Sequence, residues 1–155
     1  METVAQLVEG LRNKDNTYAY ECLKRLMDLS AVSGEAYPFF PVFTEMLRSE
    51  HSYVRTRGVL MIAEVARWDA DNRVDEIIDE YLKHLQDPKP IAARQSIRCV
   101  RKVAEAKPDL RDDIAAALMR VNLFRYPGSM RTLIAGDITE ALRDVREMET
   151  AGARP

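Results

Sequence analysis

Glycine, proline and cysteine are all scarce in this chain. Its 155 residues include six glycines and seven prolines, and most of these lie between segments with a regular apolar spacing. That distribution is typical of helices joined by short turns. The two cysteines, Cys22 and Cys99, do not form the pattern of a disulfide framework. We interpret both as small buried apolar side chains.

Long apolar runs are missing too. The first residues, METVAQLVEGLRNKDN, contain acidic side chains and no sustained apolar stretch, so they do not resemble a signal peptide. No apolar run in the sequence has the length that spanning a bilayer requires. We therefore expect a cytoplasmic protein that is not inserted in a membrane.

Neither sign of charge dominates the composition. The chain has 23 basic and 25 acidic residues, for a net charge of −2, and its pI is about 5.8. A dedicated nucleic-acid binder is usually basic overall, so this balance lowers the expectation of nucleic-acid binding without excluding a local basic patch. With 46% hydrophobic and 31% charged residues, the composition is that of a globular protein.

Motifs that indicate catalysis are absent as well. The sequence contains no P-loop, GxGxxG, GxSxG, HExxH or EF-hand pattern. The two histidines, His51 and His84, have no second ligand at a metal-binding spacing. We therefore predict no catalytic residue, no cofactor and no metal, and we expect that the chain is not an enzyme.

What the sequence does contain is helical periodicity. Near the C-terminus, Met130, Ile134, Ile138, Ala141 and Val145 recur at the spacing of one face of an amphipathic helix. Similar patterns predict eight helices, at residues 1–12, 17–31, 39–49, 51–69, 74–85, 91–106, 109–123 and 129–149.

The central helices repeat along the chain. Residues 53–85 align with residues 90–122 at an offset of 37 positions. The matched pairs are Val54 with Ile91, Arg57 with Arg94, Leu60 with Ile97, Asp75 with Asp112 and Ile77 with Ile114. The same offset applied backward reveals a weaker first copy, in which Leu23 aligns with Leu60.

The stretch SYVRTRGVLMIAEVA resembles the first helix of a HEAT repeat, in which a small polar start precedes Val-Arg, a small residue and an aliphatic run. Gly58 is in the small-residue position. Two helices at this period also fit the HEAT and armadillo class better than ankyrin or TPR repeats. The resemblance covers roughly residues 15–122. It implies an all-α superhelix, a solenoid of about three HEAT-like hairpins with capping helices. We expect one domain over residues 1–150 and a frayed tail at 151–155.

The resemblance also implies a structural role for the charges that recur. HEAT-like repeats often contain an Asp and a basic residue that link neighbouring units in a polar ladder. The residues that such a ladder would use here are Arg57, Arg94, Asp75 and Asp112.

The alternative is that the arginines of the first helices bind phosphate groups. The candidate patch comprises Arg55, Arg57, Arg94, Arg98, Arg101 and Lys102. Arg94, Arg98 and Arg101 are spaced to share one face of a helix, and a face of this kind would bind nucleic acid.

Acidic and aromatic residues supply further candidate contacts. Asp75 and Asp79 lie on a second helix, which in HEAT-like folds usually lines the concave side. There they would bind a basic segment of a partner or a cation, or form a solvated helix face. Phe39 belongs to a short apolar helix with few charges, which is a candidate interaction patch. Trp68 ends a helix, where it either anchors a partner or packs across the turn of its own repeat.

One more aromatic-basic segment, Phe124-Arg125-Tyr126, lies beside a Pro-Gly turn and is a candidate for exposure. These features together predict a non-enzymatic scaffold or protein-interaction module whose partner is another protein. Nucleic-acid or phosphate binding through the Arg-rich face is the alternative, which the acidic pI disfavours.

Overall fold

The computed structural model describes residues 2–153, and the regular secondary structure of this part of the chain is all helical. It contains eight α-helices and no strand, so the predicted all-α class is confirmed. The helices are α1 Val4–Gly10, α2 Asn16–Ser30, α3 Phe40–Met46, α4 Ser52–Val65, α5 Arg73–Leu82, α6 Pro90–Ala106, α7 Arg111–Met119 and α8 Gly128–Ala153. Short 3-10 segments lie next to them at Tyr37–Phe39, Ala66–Trp68, Lys83–Gln86, Pro108–Leu110 and Leu123–Arg125.

Local residues explain where several helices begin. Thr3 and Gln6 form a capping box at the start of α1, each side chain bonding the backbone of the other. The Asp15 side chain accepts the backbone N–H groups of Thr17 and Tyr18 at the start of α2. Pro90 is at the first position of α6, where its missing N–H would have had no helical partner.

The chain divides into two compact units, Met1–Ile77 and Ile78–Pro155. The border falls inside α5, and each unit is described by itself. Helix α8 includes residues 151–153, part of the tail that we expected to fray, and residues 154 and 155 lie outside the described range. The single domain over residues 1–150 stays a prediction.

In the first unit, α4 packs against both α2 and α3. Its residues 61–65 are all buried, so this helix is covered on more than one side. Helix α3 lies tight against Gly58. A Cβ atom there would lie 2.9 Å from the Cβ of Met46 and 3.0 Å from the backbone oxygen of Phe43.

Helices α2 and α4 run in the same direction. At their ends, the Trp68 indole donates to the Ser30 carbonyl and the Arg67 guanidinium to the Ala31 carbonyl. At their beginnings, Arg57 in the second turn of α4 reaches Leu11, just before α2. The bonded residues at the ends are 38 and 36 positions apart, close to the offset of 37 in the sequence.

In the second unit, α6 packs against α8. Arg94 in the second turn of α6 bonds Asp137 in the third turn of α8. Farther along, Arg101 of α6 and Asp144 of α8 line one surface groove of about 450 Å³. The separation of Arg94 and Asp137 is 43 positions, so this pairing departs from the offset of 37.

Helix ends in this chain lack the usual glycine cap. Helices often end with a glycine in the left-handed region of backbone angles, which orients backbone N–H groups toward the last carbonyls. Among residues 2–153, no glycine has a positive φ. Asn72, with a φ of 55°, is the one residue in this range that has a positive value. The last carbonyls must therefore find other donors.

The close approach of α3 and α4 predicts a size limit at Gly58. Gly58→Ala should lower the free energy of unfolding by about 1–3 kcal/mol, because the methyl group would overlap Met46 and the Phe43 backbone. Urea denaturation of the purified protein measures this.

Gly136→Ala is the matched control, because a Cβ at Gly136 in α8 meets nothing within 4 Å. It should raise stability by about 0.5–1 kcal/mol through helix propensity alone. Equal effects of the two substitutions would contradict the tight contact at Gly58.

Candidate functional site

The recurrent arginine in the first unit is buried and bonds a helix end. The Arg57 Nε donates to the Leu11 carbonyl at 2.6 Å, and Leu11 caps the end of α1. Burial lowers the pKa of the Arg57 guanidinium. Arg57 therefore holds the end of α1 against α4, and this contact leaves it buried rather than on a binding surface.

The recurrent arginine in the second unit pairs with an acid on α8. The Arg94 Nε and one terminal nitrogen contact the two carboxylate oxygens of Asp137 at 2.7 and 3.3 Å. Hydrogen bonding to Asp137 raises the pKa of Arg94. Such two-point geometry is the strongest arrangement of an Arg–carboxylate pair, and it joins α6 to α8.

Asp137 is a functional partner that the sequence reading missed. It lies three residues after Ile134 and four before Ala141, both buried on the same face of α8. A carboxylate inside an apolar stripe is the available signal, because a buried acid needs a cation or several donors. The predicted ladder of Arg57, Arg94, Asp75 and Asp112 stays a prediction: Asp75 is half-buried on α5, and Asp112 is exposed in the first turn of α7.

The other cations of the predicted basic patch are largely engaged with protein groups. Arg55 donates to the backbone carbonyls of Ser49 and Glu50 at 3.1 and 3.0 Å. Arg101 pairs with Glu105 at 3.1 Å.

Arg98 and Lys102, both on α6, complete the patch. Arg98 is exposed, whereas Lys102 is half-buried. A phosphate-binding face needs several uncommitted cations, and in this patch only Arg98 is exposed with no ion pair to a described residue.

The acidic candidates do not assemble into a metal site. Asp79 is exposed, one turn beyond the half-buried Asp75 on α5. In the part of the chain that the structure describes, no group of three or more His, Cys, Asp or Glu side chains could hold a metal ion. Within the same residues, no helix is both long and apolar enough to cross a bilayer.

Trp68 packs at the end of α2. Its indole N–H donates to the Ser30 carbonyl at 2.8 Å, beside the Arg67 bond to Ala31 at 2.6 Å. A Cβ at Gly34 would lie 3.3 Å from the indole ring, so the ring covers the turn after α2. This turn belongs to the preceding hairpin, so packing across the turn of its own repeat and anchoring of a partner both stay predictions. Phe39 is half-buried.

A buried carboxylate beside Trp68 organises the start of α5, and the sequence reading did not identify it. Asp69 accepts the backbone N–H groups of Arg73 and Val74 at 2.8 and 2.9 Å. It also accepts the Tyr37 hydroxyl at 2.6 Å. Burial and this bond raise the pKa of the Tyr37 hydroxyl above its ordinary value. The available signal was an Asp shortly before a helix, the position that caps N–H groups.

In the aromatic-basic segment Phe124-Arg125-Tyr126, one aromatic side chain is buried and the other is exposed. Tyr126 is 2% exposed, whereas Phe124 is 81% exposed. The expected exposure therefore holds for Phe124 and is wrong for Tyr126, whose hydroxyl donates to the Asp87 carbonyl at 2.8 Å.

Comparison with known proteins bears on the fold. No protein-family model matches the sequence, and no curated protein is significantly similar to it. The chain is similar to an engineered protein whose crystal structure was a target of the Northeast Structural Genomics Consortium. The two are 18% identical with a TM-score of 0.57, and the match covers 96% of this chain and 69% of the engineered one. At this identity the similarity shows the helical fold alone.

The geometry of the Arg94–Asp137 pair predicts a coupling energy that an exposed pair lacks. A double-mutant cycle of Arg94→Ala and Asp137→Ala, measured by urea denaturation, should give about 1–3 kcal/mol. The cycle on Arg101 and Glu105, an exposed pair four residues apart on α6, should give at most about 0.5 kcal/mol. Equal couplings would show that Arg94 and Asp137 are solvated in solution.

The Asp69 contact makes a separate prediction. Tyr37→Phe removes one hydrogen bond to a buried carboxylate, so it should lower the unfolding free energy by about 1–2 kcal/mol. Tyr53→Phe is the control, because Tyr53 is 65% exposed. If thermal denaturation finds the same loss of stability in both variants, the hydrogen bond from Tyr37 to Asp69 does not stabilise the fold.

Proposed function

We propose that this chain is a non-enzymatic protein-interaction module of HEAT-like helical hairpins that acts in the cytoplasm. The proposal of HEAT-like hairpins has support from two independent observations. The sequence repeats at an offset of 37 residues. In the first unit, side chains at the end of α4 bond residues at the end of α2 that are 36 and 38 positions earlier.

The observation that most favours a protein-interaction function is a contrast between several arginines, which bond groups of the chain, and the large apolar side chains, which are exposed. Several arginines are bound to carbonyls or carboxylates of the chain, while large apolar side chains face solvent. The exposed apolar residues are Tyr20, Val32, Tyr53, Trp68, Ile91, Met119, Phe124 and Leu133. Aromatic residues on rigid elements bury much area for little loss of conformational entropy, which favours protein partners.

Nucleic-acid binding through the first-helix arginines has weaker support. Of the predicted basic patch, Arg55 bonds two carbonyls and Arg94 and Arg101 bond carboxylates. Phosphate contacts would have to displace these partners, and the net charge of −2 gives no long-range attraction to a polyanion.

Site-specific photo-crosslinking tests the proposal. The photoreactive residue p-benzoylphenylalanine at Tyr53 or Phe124 should give discrete protein adducts in cells of the source organism, since both side chains face solvent. Exposed polar positions, Glu9 and Thr132, are the controls, one in each unit. Adducts no stronger than those at the controls would contradict the proposal.

Electrophoretic mobility shift tests the alternative. Labelled single- and double-stranded DNA and RNA at low salt should show no saturable shift with the purified chain. Binding that weakens steeply with added salt and is lost in Arg98→Ala would favour the nucleic-acid function instead.

A further inference from the structure

The segment from Met119 to Arg131, here named the α7–α8 connection, has charged side chains of positive sign only. Between Asp113 and Asp137 the sequence has three arginines, Arg120, Arg125 and Arg131, and no acidic residue. Without these three arginines, the rest of the chain has 20 basic residues against 25 acidic ones. The connection is therefore a local cationic segment on an acidic protein.

The backbone of the connection is held in one conformation. Asn122 accepts the Phe124 N–H through its side chain at 3.1 Å and donates its own N–H to the Gln86 side chain at 2.9 Å. On the other side of Phe124, the buried Tyr126 donates to the Asp87 carbonyl. The Arg131 Nε donates to the Tyr126 carbonyl at 2.9 Å. These bonds fix both flanks of Phe124.

Phe124 nevertheless faces solvent. Its side chain is 81% exposed, and that of Met119, at the end of α7, is 69% exposed. The Arg131 guanidinium lies 5.1 Å from the centre of the Phe124 ring, within cation–π range. An exposed aromatic ring on a fixed backbone loses little conformational entropy on binding, which is the property of an interface anchor.

Two other arginines of the connection are available to a partner. Arg120 and Arg125 are exposed, and within residues 2–153 neither has an ion pair. The acid that lies beneath the connection, Asp87, is buried. One of its carboxylate oxygens accepts the Lys89 N–H and the other lies 3.8 Å from His84.

We propose that the α7–α8 connection docks an acidic protein segment that carries an apolar side chain. This inference rests on the proposed interaction function and names the chemistry of the partner. Carboxylates of the partner would pair with Arg120 and Arg125, and its apolar side chain would cover Phe124 and Met119. A nucleic acid fits less well, because its phosphates gain nothing from Met119 and its length would meet the acidic remainder of the chain.

Fluorescence anisotropy with the full chain and labelled synthetic peptides tests this. The first peptide contains glutamates and two phenylalanines among serines; the second has lysine for each glutamate; the third has serine for each phenylalanine. The first should bind, and the other two should bind at least about tenfold more weakly. Phe124→Ser and Arg125→Glu should each weaken binding of the first peptide by about tenfold or more.

Two controls make the result specific to the connection. Tyr53→Ser removes an exposed aromatic ring from the first unit and should leave affinity for the first peptide unchanged. Arg125→Glu should bind the lysine peptide more tightly than the unmodified chain does, a gain that a misfolded variant cannot show.

The outcomes separate this inference from the proposed function. If Phe124→Ser and Arg125→Glu bind the first peptide like the unmodified chain, while Tyr53 still gives protein cross-links, the interaction function stands and the connection is not its site. If no peptide binds and no position cross-links above the controls, both fail. If labelled oligothymidylate binds more tightly than the first peptide and Phe124→Ser weakens it, the connection is a nucleic-acid site and the proposal is overturned.

Discussion

Side-chain donors that satisfy the carbonyls at helix ends hold the elements of this chain together. Arg57 bonds the end of α1, Trp68 and Arg67 bond the end of α2, and Arg111 bonds the Ala104 carbonyl near the end of α6 at 2.8 Å. Each bond joins a residue of one element to the last turn of another. The described helices end without a left-handed glycine, so other donors take this place. The Leu11 carbonyl lies in a buried bond, where an unmet carbonyl would be costly.

Because arginines bond helix ends in this chain, the number of arginines is a poor guide to phosphate binding. An arginine side chain is long and its guanidinium has several donors in a rigid fork. It can therefore bond a backbone carbonyl that lies outside its own helix. Arg55, Arg57, Arg67 and Arg111 all do so, and Arg94 makes a two-point pair with Asp137. A basic stretch in an all-helical protein of this kind is therefore weak evidence for phosphate binding, because the helix ends and buried acids compete for the same donors.

The α7–α8 connection shows the opposite use of the same residue types. There the Asn122 side chain accepts the Phe124 N–H, and the Arg131 Nε donates to the Tyr126 carbonyl. Arg120 and Arg125 are exposed on the same segment as the exposed Phe124 ring. Rigid backbone, exposed aromatic and uncommitted cations coincide at this place. That coincidence, more than the number of arginines, is why we propose a docking surface at this segment of the second unit.

The sequence by itself determined the all-helical class and the placement of the helices. The apolar spacing along α8 depends on residues near one another in the chain, so local patterns suffice to predict such a helix. It also indicated the offset of 37 that α2 and α4 follow at their ends.

Only the tertiary structure decided what the charged and aromatic side chains do. Nothing local distinguishes Phe124 from Tyr126, yet one faces solvent and the other lies over the Asp87 carbonyl. Arg57 and Arg94 are equivalent in the repeat, yet one bonds a carbonyl and the other a carboxylate. The acceptor within reach of a long side chain belongs to a distant segment, so its identity depends on helix packing and not on the spacing of neighbouring residues.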